Sequence, residues 1–335
     1  MRADIDTLSA GLWMLAWRRL RADRVAMAAL AIVLAFLTLL ILSGTGLVAA
    51  DWEREVGVNY APPTFAGPDA AATAVQASRA ALPPNPFDPL AADIAAIGKT
   101  GVLVAPEARR TTLPFGADKW GHDIVKKTIK GAQTSIVVGV GAALLAVVLG
   151  TLFGALAGFY GGFVDDFFNW FYSIFTSIPS ILMILTVAAV LQQKGVSTIV
   201  LILGLTGWTG PFRLIRAEYI KHKGREYVLA AHSIGASNWQ KMFSHIFPNV
   251  SHVALVQLSI LVVGFIKAEV ILSFLGFGVP VGTVSWGSML GEAQNELILG
   301  KWWQLAAAAS AMALLVTAFS LLTDALRDAL DPKLK

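Results

Sequence analysis

The chain has 335 residues, of which 56% are hydrophobic and only 14% charged, and its mean hydropathy is +0.65. Ordinary soluble domains carry about 25% charged residues, so a water-soluble globular fold is excluded and the lipid bilayer is the main solvent. The absence of cysteine excludes disulfides, thiol catalysis and thiolate zinc sites; a net charge of only +4, with basic residues beside apolar stretches and no aromatic interleaving, argues against nucleic acid as a partner.

Six uncharged runs have roughly the 17 to 25 apolar residues that cross hydrocarbon: Val25 to Leu42, Ile136 to Phe159, Phe167 to Leu191, Gly195 to Phe212, Val250 to Ile266 and Trp302 to Thr323. In lipid each must satisfy its own backbone hydrogen bonds as a helix, so the fold class expected is an all-α polytopic membrane protein. The first run is not read as a secretory signal: no small-residue cleavage site follows it closely, and Arg18, Arg19, Arg21 and Arg24 anchor it far from Met1.

Lys and Arg concentrate on the cytoplasmic side of a membrane protein's short loops. With the N-terminus inside, that side holds Arg18 to Arg24, Arg213, Arg216, Lys221, Lys223, Arg225, Lys241 and Arg327, and the short outer loops hold only Lys194 and Lys301. The division expected is a cytoplasmic segment 1–24, a first span 25–50, an outer loop 51–134, a membrane core 135–325 that includes the cytoplasmic segment 213–249, and a cytoplasmic tail 326–335. The loop 51–134 contains nine of the fourteen prolines and is too long for a simple connector. It reads either as a small subdomain, with a short helix over Pro68 to Ala81, or as a partly disordered linker. Val270 to Gly291 is uncharged but rich in glycine, and reads as a re-entrant or surface segment at the outer side.

The tripeptide Gly98, Lys99, Thr100 resembles the end of a phosphate-binding loop, but Asp93 stands where that loop needs glycine. The chain is therefore expected to take its energy from a partner or an ion gradient. The segment 225–249 is the most informative. Arg225 to Ile234 favours a helix that Gly235 stops; Ser237 opens a second short helix, with Gln240 completing a capping box, and Pro248 ends it. A bent unit of this kind, fixed between two spans, suits the transmission of a rigid-body push.

Ala230, Ala231, Gly235 and Pro248 fall at the spacing of the cytoplasmic "EAA" loop of ABC importer permeases, with Leu229 in place of its glutamate. That departure, with Tyr227 to Ala231 and His245 to Asn249, resembles the dipeptide/oligopeptide branch. So do Phe115 to Asp118 with Gly121 to Asp123, Glu269 to Gly278 with Ser285 to Gly287, and Asp324 to Pro332. The matching blocks cover most of residues 113–335. In one place, where the family carries an arginine and an aspartate after Asp165, this chain has Trp170 and Ser173, which reads as loss of both members of a charge pair.

The resemblance implies a type I ABC importer permease, the second (C-type) permease subunit, in the bacterial inner membrane. A homologous second permease, two ATPase subunits and an extracytoplasmic solute-binding protein are implied as its partners. ATP and magnesium would be bound by the ATPases, with no cofactor, metal or catalytic residue in this chain. It places ATPase coupling on Glu226, Tyr227, Ala230, Ala231, Gly235, Ser237 and Pro248, and suggests Glu269 and Ser273 for the translocation pathway. Glu269 reads equally as a cavity residue or as a brace between helices, and Lys267, two positions away, points to another side. His245 and His252 read as helix-end hydrogen-bonding groups, not metal ligands. The series Gly150-x-x-x-Gly154-x-x-x-Gly158 reads as close helix packing against an unspecified neighbour. The rival reading is an ion-coupled secondary transporter or channel acting without ATPase partners.

Overall fold

The computed structural model describes residues 12–68, 89–90, 93, 109–280 and 282–330. The expected helix at Pro68 to Ala81, the tripeptide at Gly98 and the tail beyond Leu330 lie outside the described residues. Among the described residues there are helices and isolated β-bridges but no strand.

An N-terminal helix, α1 (Leu12–Ala22), is followed by α2 (Arg24–Gly44), which Asp23 caps by accepting from the backbone N–H groups of Val25 and Ala26. The second apolar run lies inside a much longer helix, α3 (Ile124–Tyr160), capped in the same way by Asp123. At 37 residues and 1.5 Å per residue it is about 55 Å long, more than a bilayer core requires. The third and fourth runs are both broken. α4 (Gly162–Thr176) and α5 (Ser180–Leu191) meet at 83°, and α6 (Val196–Thr206) and α7 (Thr209–Lys223) at 41°. The sharper bend falls at Pro179, whose ring excludes the preceding residue from helical geometry and which lacks a donor for it.

Beyond α7 come α8 (Glu226–Ser233), a π-helical turn (Gln240–Ile246), α9 (Phe247–Phe274), α10 (Trp286–Ile298) and α11 (Trp303–Leu330). Pro248 does not end a short helix as its residue type suggests. The Phe247 N–H bonds to the Met242 carbonyl five residues back; this wider turn carries the helix past the proline, and Gln240–Phe274 is one continuous span. The segment 270–291 is interrupted: α9 runs to Phe274, the chain turns through Gly276 and Gly282, both at positive φ, and α10 starts at a Ser285/Ser288 capping box. Its glycines serve packing as well as turning, since a Cβ on Gly287 would lie 2.7 Å from the Val270 carbonyl oxygen.

α3 is the central post. Its small residues Ala142, Ala143 and Ala146 face α6 and α9 within one buried apolar cluster that also takes in Leu203, Ile266, Trp286 and Leu315. The glycine series packs on α7 of the same chain, which identifies the neighbour. A Cβ at Gly150 would lie 2.6 Å from the Trp208 carbonyl, one at Gly154 2.8 Å from that of Phe212, and one at Gly158 2.6 Å from that of Arg216. Only glycine permits that backbone approach. Trp208, at the α6/α7 bend, is buried against the rings of Phe153, Phe171, Phe175 and Phe212.

The two ends of the long loop are stitched together. Val58 donates to the Arg110 carbonyl at 2.9 Å, Arg110 to Val56 at 2.9 Å, and Ala117 to Ala61 at 2.8 Å, over a small core of Ala61, Leu113 and Ala117. Trp303 at the head of α11 donates its indole N–H to the Ala117 carbonyl at 2.7 Å, fixing this unit to the bundle.

Candidate functional site

The bundle has two polar ends with distinct constructions. At the end formed by α7, α8 and the π turn, every local feature of the bent unit can be traced to its residue type. α8 closes with a Schellman arrangement, in which Ala236 donates to the Ala231 carbonyl and Gly235 to that of His232, both at 3.0 Å, with Gly235 at φ +87°. Ser237 and Gln240 then exchange the two bonds of a capping box, at 2.9 and 3.2 Å.

The unit rests on a buried floor made by Phe159 of α3, Tyr219 of α7, Val228 of α8 and Met242 and Ile246 of the π turn. The Tyr219 hydroxyl donates to the Met242 carbonyl at 3.1 Å, and His222 shares a 2.8 Å hydrogen bond with the Tyr227 hydroxyl. Of the residues singled out from sequence, Ala231 is buried, while Glu226, Tyr227, Ala230, Gly235, Ser237 and Pro248 are exposed. Ile234 and Trp239, 85% and 62% exposed, stand beside them on the outside of the bend and carry no signal in the sequence beyond their hydrophobicity.

Near this end, Asp165 of α4 is held by a two-pronged contact from Arg216 of α7, at 2.5 and 2.6 Å. The substitutions at Trp170 and Ser173 therefore do not strip the region of ion pairing, because the retained aspartate finds its partner on another helix.

At the opposite end, where the loop flanks join the bundle, Glu269 is fully buried. It accepts from Ser135 of α3 at 2.6 Å and from Ser273 at 2.7 Å, and Ser135 in turn accepts the Trp286 N–H at 3.2 Å. Glu269 thus links α9 to α3 and, through Ser135, to α10, and Ser273 borders a cavity of about 990 Å³. Lys267 is exposed on another face of α9.

That cavity contains a charge network not legible in the sequence. The buried Lys127 ammonium meets Asp118 at 2.7 Å, Glu292 at 2.6 Å and Gln304 at 3.2 Å, which uses all three of its donors. Asp118 also accepts from the Trp120 and His122 backbone N–H groups and contacts the His122 ring at 2.9 Å. Burial pushes its carboxyl upward, but the Lys127 charge and these hydrogen bonds outweigh burial and hold it below the usual carboxylate range. Glu296, one turn from Glu292 on α10, is the opposite case. It is 2% exposed and neither of its carboxyl oxygens has a hydrogen-bond partner. Burial, reinforced by Glu292 and Asp118 against the pull of Lys127, raises it to about 7.

Among the described residues no cluster of His, Cys, Asp and Glu has the arrangement of a metal site. Ser, His and acid side chains likewise form no nucleophilic constellation in the contacts above; the chemistry on display is ion pairing, capping and close packing.

Residues 150–335 match the family described as "binding-protein-dependent transport system inner membrane component", and residues 11–63 match the N-terminal transmembrane domain of oligopeptide transport permease C. The oligopeptide transport system permease protein OppC of Bacillus subtilis is 38% identical over 221 residues, covering 66% of this chain and 72% of that protein. The dipeptide transport system permease protein DppC of the same organism is 33% identical over 221 residues, 66% and 69% of the two chains. The glutathione transport system permease protein GsiD of Salmonella paratyphi A is 38% identical over 221 residues, 66% and 72%. With four to six spans long and apolar enough to cross a bilayer among the described residues, this chain belongs to the inner-membrane permease family of binding-protein-dependent, ABC-type importers, in its dipeptide/oligopeptide branch.

Proposed function

We propose that the chain forms half of an ATP-driven import pathway for peptides or chemically related small solutes. A homologous permease supplies the other half, an extracytoplasmic binding protein delivers the solute, and two ATPase subunits, which bind the ATP and magnesium, drive alternation between outward- and inward-facing packings. In this reading the α7–α8 end lies in the cytoplasm with both termini, as the Lys and Arg distribution requires, and residues 51–134 lie outside. The relatives' names support peptide-like cargo: they are transporters of dipeptides, oligopeptides and glutathione.

The observation that carries the reading is the construction of the bent unit. α8 is short, closed at its C-terminal end by the Schellman hydrogen bonds, followed at once by the Ser237/Gln240 capping box, and seated on one rigid floor shared by α3, α7 and the π turn that leads into α9. A push on its exposed side, from Glu226, Tyr227 and Ala230 round the bend to Gly235 and Ser237, moves three membrane helices together, because a packed interior transmits displacement instead of absorbing it. Ile234 and Trp239 supply the apolar area that a docked partner would cover. The long reach of α3 and α9 carries the movement to the other end, where Glu269 ties both helices to α10.

The test is ATP hydrolysis by the reconstituted assembly. Gly235→Leu puts a branched side chain at φ +87°, a backbone setting costly for any residue but glycine. It is expected to abolish solute-stimulated hydrolysis while the chain still inserts and assembles. Full stimulation in that variant, or solute uptake by this chain alone in ATP-free vesicles, would refute the reading.

A further inference from the structure

We propose that the cavity at the loop-bearing end is a binding site for a protonated amine, with Glu296 as its counter-charge and Glu292 as a second acceptor. The inference rests on the transport reading in one respect: the amine is taken to belong to the solute. The geometry is otherwise self-contained.

A buried carboxyl with both oxygens unbonded is an unfinished arrangement, because desolvation without compensating hydrogen bonds is costly. No cationic side chain of the cavity wall reaches either oxygen. Lys127 spends its three donors on Asp118, Glu292 and Gln304. His122 faces Asp118, and Lys119 is drawn over the Trp120 ring at 5.6 Å. Tyr60 and Glu53 complete the set of titratable groups on the cavity wall, and Tyr60 feels the negative charge of Glu296, Asp118 and Glu292 together. The missing component is therefore a positively charged donor brought in from outside.

Its chemical class follows from the walls. Metal ligation is disfavoured, since no three acid or histidine side chains converge as ligands among the described residues. An ammonium needs only two or three acceptors and gains from aromatic faces. Glu292 and Glu296, four apart on one face of α10, supply the acceptors, and Trp52, Tyr60 and Trp120 border the same space. At about 990 Å³ the cavity is large enough for a short peptide whose amino terminus is held there.

The experiment uses the full chain in lipid nanodiscs at pH 7.5, with calorimetric titration as the readout and trialanine and N-acetyl-trialanine as probes. Trialanine is expected to bind and the acetylated peptide to bind at least about ten-fold more weakly, the effect of one lost charge-assisted contact. Glu296→Gln is expected to reduce trialanine binding by a similar factor while raising thermal stability, and Glu292→Gln to give a partial loss. Equal binding of the two peptides, no binding of either, or a Glu296→Gln variant altered in stability alone would overturn the proposal. Uptake by the reconstituted assembly separates this from the wider reading: equal ATP-driven import of both peptides, unchanged in Glu296→Gln, refutes the amine site and leaves the transport function intact.

Discussion

The α3–α7 contact offers the sharpest test of how this bundle is held together. In Gly154→Ala the new Cβ would lie 2.8 Å from the Phe212 carbonyl oxygen, 3.0 Å from the Arg216 nitrogen and 3.1 Å from the Ile215 Cβ. Ordinary carbon–oxygen contact is about 3.3 Å or more, so the helices must part by about 0.5 Å. The obstruction is backbone on α7, which no rotamer change relieves. A gap of that size forfeits about a quarter of the dispersion attraction between the facing atoms, and it is imposed along the whole seam that Gly150 and Gly158 share. Overpacking of this kind costs about 1 to 3 kcal/mol. Gly141→Ala is the internal control: it lies on the same helix, but its Cβ would meet only Val200, at an ordinary 3.5 Å. The assay is thermal unfolding in detergent, followed by loss of monodisperse protein, with the two variants side by side. Gly154→Ala is expected to unfold at a distinctly lower temperature and Gly141→Ala with the wild type. Indistinguishable midpoints would show that the glycine series does not set the α3–α7 separation.

Glu269→Ala strands the hydroxyls of Ser135 and Ser273 without their acceptor, at about 1 to 3 kcal/mol per buried group; Glu269→Gln, which keeps a carbonyl acceptor, is expected to lose distinctly less in the same unfolding assay. Glu296 makes stability pH-dependent in an unusual direction. Its folded-state value of about 7 lies above the ordinary 4.5, so the native state holds this proton more tightly and its stability falls as pH rises from 4.5 through 7, by ~3 kcal/mol in all. Glu296→Gln is expected to be flat across that window, and parallel profiles for the two proteins would refute the assignment. Asp118, held low by Lys127, acts oppositely: its contribution is present above pH 3.8 and is lost on further acidification. Arg216→Ala leaves the partly buried Asp165 without its two-pronged partner and is expected to loosen α4 from α7, read as faster proteolysis in the 161–165 region with the α3 core still protected.

Much of the architecture is legible in the residues alone because lipid is an unforgiving solvent. A chain that cannot hydrogen-bond to its surroundings must form self-satisfied helices, and among the described residues the six apolar runs fall in four unbroken helices and two bent helix pairs long and apolar enough to cross a membrane. The bent unit before Pro248 is equally legible, since Gly235, Ser237 and Gln240 act on atoms within five residues of themselves. Signals of that range fail where a neighbour intervenes. Pro248 reads as a terminator, but a π turn absorbs it; of the glycines of 270–291, Gly276 and Gly282 do break the helix, whereas Gly287 is there to admit the backbone of α9.

What only the tertiary structure decides is which distant groups share a space. Glu269 has no visible partner in the sequence; in the fold Ser135 reaches it from 134 residues away. Lys127, Asp118, Glu292 and Gln304 come from a loop and three different helices, and nothing local in any of them announces the others. Glu296 looks like one more charge on a helix; its lack of a partner exists only once the surrounding elements have packed around it and Lys127 has been drawn to other acceptors. Local chemistry writes the helices and their caps, whereas electrostatic satisfaction is a property of the assembled volume.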